Sequence, residues 1–189
     1  MLKIGITGSL ASGKSTVAKI LSRGKYPLFS ADKVVKELYS NKKFIKKITK
    51  IFNLKKKNFK KQIKATILKD ISQLKKLELL IHPLVRKNMK AFTEKNKKKK
   101  LLVYEIPLLV ESKLMRNFNL VWFVSSKKKI RLKRYIKRKG KKEKTTFLML
   151  DKRQINQKRK MKYSDKIIYN NYSIEKLKKS VKLLVSKYE

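Results

Sequence analysis

Gly8 is followed by four variable residues and then by Gly13, Lys14 and Ser15. That spacing builds a phosphate-binding loop. Glycines at both ends let the backbone curl so that successive N–H groups point inward, and the start of the next helix adds its own donors. Lys14 supplies a cation for β- and γ-phosphates, and the Ser15 hydroxyl is a ligand for Mg2+. Nucleotide contacts are expected from Gly8, Ser9, Leu10, Ala11, Ser12, Gly13, Lys14, Ser15 and Thr16. Two acids stand where such a site needs them. Asp32 follows a short apolar run and can act as base or orienter for an acceptor hydroxyl; it can equally cap a helix starting at Lys33. Glu105 ends another apolar run and either holds Mg2+, as a Walker-B acid does, or is a plain strand-end carboxylate.

The elements around these residues follow from periodicity. Residues 2–7 form a buried first strand that runs into the loop. Residues 14–23 carry apolar side chains at helical spacing and stop at Gly24. Residues 27–30, 101–106, 120–124 and 166–169 read as further strands. Residues 34–98 read as a helical, strongly basic insertion without a convincing strand. Residues 128–139 form a helix carrying Arg131, Arg134 and Arg138, which Gly140 breaks; helix resumes from 146 towards 160, and a last helix covers 174–187. Strands alternating with helices predict an α/β fold with a parallel sheet covered on both faces. Arg134 and Arg138 are four residues apart and share a helix face. They suit an arginine-bearing lid, expected at about 139–160, with Arg138 the leading candidate to neutralise the transferring phosphoryl group.

Composition narrows the function classes. The chain has 189 residues and no cysteine, so disulfides and thiolate sites are excluded. Its single histidine, His82, cannot build a zinc cluster alone. No apolar run reaches the roughly 18 residues of a membrane span, and the start leads directly into the loop rather than into a signal peptide. A soluble, cytoplasmic protein is expected, monomeric or weakly self-associating. Lys+Arg number 55 against 12 Asp+Glu, a net charge of +43. Such a balance suits nucleic acid, yet the lysines are spread along the whole chain, at positions where any solvated residue serves. A general lysine bias, with no specific nucleic-acid partner, is the expectation.

The loop alone does not choose between kinase, GTPase and motor ATPase. A loop so near the N-terminus of a short chain, the lack of an NKxD-like guanine-reading motif, Asp32 beyond strand two and the arginine-bearing segment all favour a small kinase. Other sequence stretches go further. IGITGSLASGKST (residues 4–16), SAD (30–32), IHPLVR (81–86), YEIPLLVES (104–112) and QIN with KMKYSDKIIYNN (154–156 and 160–171) resemble the dephospho-CoA kinase family along nearly the whole chain.

The resemblance implies a P-loop kinase in which helices flank a parallel sheet, with a helical substrate-binding insertion and a small lid. It implies transfer of the ATP γ-phosphoryl group to the ribose 3′-hydroxyl of dephospho-CoA, giving CoA and ADP in the last step of coenzyme A synthesis, with Mg2+. It assigns catalysis to Lys14, Asp32 and Arg138. It puts Asp32, His82, Arg86 and Leu108 against the acceptor, Asn170 near adenine, and Ser15 with Glu105 at the metal. Several of these residues keep a plainer reading: His82 as a helix-cap residue ahead of Pro83, Arg86 as a solvated helix face, Asn170 as a turn residue. Glu111 is either a supporting partner of the site or a surface residue. Tyr39, Phe44, Phe52 and Phe59 either line a groove for the pantetheine arm or form the core of the insertion. The chain also departs from the family pattern. Ser30 replaces an Asp, Glu105 replaces an Asp, Tyr169 replaces the Asp before Asn170, and Gly is missing after Asn171. Two alternatives stay open: a kinase for an adenylate- or shikimate-like acceptor, and a nucleic-acid-binding ATPase.

Overall fold

The structure is a computed structural model and describes residues 1–188. The chain divides into two compact units, one of residues 1–30 and the chain from 95 onward, the other of residues 31–94.

The first unit holds the sheet. Among the described residues its strands are β1 (Leu2–Gly8), β2 (Leu28–Ser30), β3 (Leu101–Glu105), β4 (Leu120–Ser125) and β5 (Lys166–Tyr169), in the order β2-β3-β1-β4-β5. Every neighbouring pair is parallel. All strand ends that follow the chain direction therefore lie on one edge, the edge at which open α/β sheets bind ligands. Gly8, Ser30, Glu105 and Ser125 are the last residues of β1, β2, β3 and β4.

One sheet face is sealed by α1 (Lys14–Ser22) and α9 (Ile174–Val185). Ile4, Ile6, Leu101, Val103, Trp122 and Val124 meet Val17, Leu21, Val181 and Val185 there, all fully buried. Each such side chain stabilises the fold by about 1.5–3 kcal/mol. β1 and β3 are buried along nearly their whole length, which explains why they read as continuous apolar runs rather than alternating ones. On β1 a Cβ at Gly5 would meet Leu109 at 2.7 Å and Phe118 at 3.0 Å, so the segment after β3 approaches the strand closely only because residue 5 has no side chain.

Three further helices follow β4: α6 (Lys128–Lys139), α7 (Lys144–Arg153) and α8 (Gln157–Met161). The helix expected from 146 towards 160 is thus two helices. Asn156 separates them and caps α8, its side chain accepting from Lys158 N at 2.8 Å.

The second unit consists of α2 (Ala31–Leu38), α3 (Lys42–Ile51), α4 (Phe59–Lys69) and α5 (Ser72–Lys95), the last leaving the unit at its final residue. Its core joins Phe44, Ile48, Phe59, Ile63, Leu77 and Ile81, with Tyr39 and Phe52 packed against them. Tyr39 meets Phe44 and Phe59 at ring separations of 5.9 Å. The four aromatics are therefore core residues. Two helix starts differ from expectation. α2 begins at Ala31, so Asp32 lies inside its first turn rather than ahead of it. α5 runs straight through Pro83, so His82 sits mid-helix and caps nothing. Pro83 lacks an N–H and cannot bond the carbonyl four residues back. That carbonyl belongs to Leu79, which is 67% exposed, so water can take the place of the missing donor.

Candidate active site

The loop between β1 and α1 is shaped by its backbone. Ala11 (φ 59°) and Gly13 (φ 98°) both adopt left-handed conformations. Alternation of left- and right-handed residues turns successive N–H groups to one side and makes an anion-binding nest. α1 then opens at Lys14 with unsatisfied N–H groups and the positive end of its dipole. A Cβ on residue 13 would fall within the Asn170 side chain, so only glycine fits there. Lys14 is 8% exposed, and its Nζ donates to Gly8 O at 3.2 Å and Ser9 O at 2.9 Å. Its ammonium thus lies over the loop, and the two carbonyls are acceptors that a phosphate can outcompete.

Glu105 closes the site from β3. It is 4% exposed. Its Oε1 accepts from Ser15 Oγ, and its Oε2 accepts from Ser30 Oγ at 2.9 Å. Among the described residues no lysine or arginine pairs with it. A buried carboxylate normally has a cation partner or a metal. One carboxylate beside one hydroxyl fits Mg2+, which takes few protein ligands and completes its shell with phosphate oxygens and water. No cluster of three or more His, Cys, Asp or Glu that could hold a metal exists among the described residues.

A polar network braces the loop from the other side. Asn170, following β5, donates through Nδ2 to Ser12 O at 2.8 Å. Arg134 donates to Asn170 Oδ1 at 3.2 Å and reaches Ser12 O and Ser126 Oγ at 3.4 Å. Burial pulls the pKa of Arg134 below its usual value. Arg131, 6% exposed, donates to Leu10 O at 3.2 Å and to Ser126 O at 3.1 Å, and pairs with Asp151 of α7 at 2.5 Å. Gln154 Oε1 accepts from Leu10 N at 3.1 Å, while Gln157 accepts from Ser9 Oγ at 3.4 Å and donates to Ser125 Oγ at 2.7 Å. Glu111, in the turn after β3, pairs with the fully buried Lys160 at 2.5 Å and accepts from Ile155 N at 3.3 Å. It therefore ties two site-forming segments together and is no surface bystander.

The expected residues fall into distinct places. The loop residues, Ser15, Glu105 and Asn170 come together. Thr16 is exposed on α1, and Leu108 is half-buried in the turn after β3. Arg138 is exposed, with its guanidinium 5.9 Å from the Tyr135 ring centre, while Arg131 and Arg134 both reach the loop. Asp32, His82 and Arg86 belong to the second unit. There Glu78, His82 and Arg86 follow one another at four-residue intervals along α5. Burial pulls the His82 pKa below its ordinary value; Glu78 opposes this and Arg86 adds to it. Sequence reading gave no role to Arg131, Gln154 or Gln157. Arg131 lies three residues before Arg134 on the same face, a spacing that could have marked it. Nothing local signals that the two glutamines turn back to residues 9 and 10.

The chain is similar to known proteins along nearly its whole length. The family model described as "Dephospho-CoA kinase" matches residues 2–176. A protein of Fusobacterium nucleatum named dephospho-CoA kinase is 33% identical over 183 residues, 94% of each chain. A crystal structure of a Thermus thermophilus protein superposes with a TM-score of 0.81 at 26% identity, covering 98% of this chain and 97% of that one. Dephospho-CoA kinase from Campylobacter jejuni gives 0.64 at 25% identity, covering 99% and 97%. The match takes in the loop, the stretch that delivers Glu105 and the strand that leads to Asn170, and on it the chain belongs to the dephospho-CoA kinase family.

Proposed function

We propose that the protein transfers the γ-phosphoryl group of ATP to the ribose 3′-hydroxyl of dephospho-CoA, yielding CoA and ADP. The observation that carries this reading is the position of Glu105. Residues 104–112, which together with 81–86 resemble the family more specifically than the loop does, set its carboxylate onto the Ser15 hydroxyl of the phosphate loop.

The steps assigned to this chain are positional and electrostatic, as phosphoryl transfer demands. The nest and the α1 N-terminus bind the β-phosphate. Lys14 leaves the Gly8 and Ser9 carbonyls and follows the transferring group. Ser15 and Glu105 would hold Mg2+, which when bound would supply positive charge to offset that of the phosphates. Asp32 accepts the proton of the 3′-hydroxyl or holds that hydroxyl in line. Arg134 keeps Asn170 and the loop in place on the adenine side, and Arg138 meets the phosphoryl group when the segment around 139–160 closes over ATP. His82, Arg86 and Leu108 contact the acceptor.

The protein works in the cytoplasm and binds ATP and dephospho-CoA, as a monomer or weak self-associating species. No helix among the described residues is long and apolar enough to cross a membrane. An acceptor panel tests the reading. With Mg-ATP, dephospho-CoA should be turned over in preference to AMP and shikimate; faster turnover of either alternative contradicts it.

A further inference from the structure

Glu105 has a second partner whose role the reaction scheme leaves open. Ser30 ends β2, and Glu105 ends β3. The two strands pair in parallel with Ser30 directly beside Glu105 in the register. Residues adjacent across a ladder project to the same sheet face, so a short side chain at 30 can reach a long one at 105. Ser30 Oγ donates to Glu105 Oε2 at 2.9 Å, and Ser15 Oγ donates to Oε1. Each carboxylate oxygen is thus held by one hydroxyl.

We propose that Ser30 is a positioning residue for the divalent cation: it fixes the Glu105 carboxylate so that Oε1 faces Ser15 and the metal. The inference rests on the proposed metal role of Ser15 and Glu105. A glutamate side chain has three rotatable bonds, and a metal ligand that must be frozen at each binding event binds weakly. Here β2 supplies the restraint. The carboxylate is 4% exposed, so water is poorly placed to substitute for the Ser30 hydroxyl. A neutral donor also leaves the full negative charge of Glu105 for the cation, which a second cationic partner at residue 30 would cancel. Hydrogen bonds that orient metal ligands typically alter metal affinity 10- to 100-fold when removed.

The test reads Mn2+ affinity directly, by electron paramagnetic resonance of Mn2+ titrated into the whole protein with saturating ADP. Ser30→Ala should weaken Mn2+ binding by about 10-fold, with the KM for Mg2+ raised more than kcat is lowered. Ser30→Thr, which keeps the hydroxyl, should restore it. Ser30→Val has the shape of threonine without the hydroxyl and suits a strand; it should behave as alanine does, and it stands in if the alanine variant does not fold. In a Glu105→Gln background, Ser30→Ala should add little, because the two act as one unit. Mn2+ affinity within twofold of wild type for both Ser30→Ala and Ser30→Val overturns the proposal, provided Glu105→Gln does weaken binding. If Glu105→Gln also leaves the affinity unchanged, the metal role of Glu105 falls, and the role of Ser30 with it.

Discussion

At the scale of single residues, the question is which carboxylate does what. Glu105 is buried and tied to two hydroxyls, an environment suited to holding a cation. Asp32 is exposed in the first turn of α2. An acid there gains from the helix dipole. Asparagine keeps the shape of aspartate and is a good residue near a helix start, yet it cannot accept a proton at neutral pH. If Asp32 is base or orienter, Asp32→Asn should lower kcat by about 100-fold or more, the scale of general-base contributions. ATP affinity should stay near wild type, because Lys14 and the loop N–H groups are untouched. Steady-state kinetics together with nucleotide titration separate the outcomes. Unchanged kcat removes Asp32 from the chemistry, and lost Mg-ATP binding moves it to the metal. The places of the loop and of Glu105 were legible in the sequence, because the loop follows one apolar run and Glu105 ends another. Ser30 and Glu105 read there as two separate departures from the family pattern; only strand register reveals them as neighbours.

At the scale of elements, α5 carries a chemical signature of its own. Its 24 residues include Pro83, and the sequence suggested a helix start at that point because proline favours first turns. Packing decided otherwise: Leu77 and Ile81 before the proline are in the core, and Leu84 and Val85 after it pack against the same cluster. Burial on both sides outweighs one lost hydrogen bond. His82 is carried into a half-buried position by that continuity, and burial lowers its pKa below the ordinary value of about 6.5. The fold therefore favours neutral His82. The unfolded chain binds the extra proton first as pH falls, so the stabilisation is fully present above about 6.5 and is lost as pH falls through the lower folded-state value. Thermal unfolding followed from pH 7.5 to 5 should show His82→Gln losing less stability than wild type over that window. Parallel curves would show that His82 titrates as it does in the unfolded chain. The segment from 139 to 160 was less legible. Its long-range ties, Gln154 to Leu10 and Lys160 to Glu111, depend on how the chain returns to the loop, which local pattern does not encode.

At the scale of the whole molecule, the strand order and the charge matter most. A β2-β3-β1-β4-β5 sheet of parallel strands brings five strand ends to one edge, and alternating strand and helix patterns were enough to foresee that edge, though not the order of strands along it. The net charge of +43 is distributed along the chain and so predicts an electrostatic field without a reading site. Mixed-sequence DNA should bind with an affinity that falls steeply between 50 and 200 mM salt, by about 1,000-fold or more if six or more phosphates are neutralised. Fluorescence anisotropy should find no preference among sequences, and added DNA should leave phosphoryl transfer unstimulated. Selective binding at physiological salt would instead call for a partner. The central claim is about where one phosphoryl group goes, and 31P NMR of the product mixture from Mg-ATP and dephospho-CoA tests it most directly. The expected spectrum contains a new phosphomonoester coupled to the ribose H3′, in equal amount with ADP. Release of ADP with inorganic phosphate and no new phosphomonoester would contradict it.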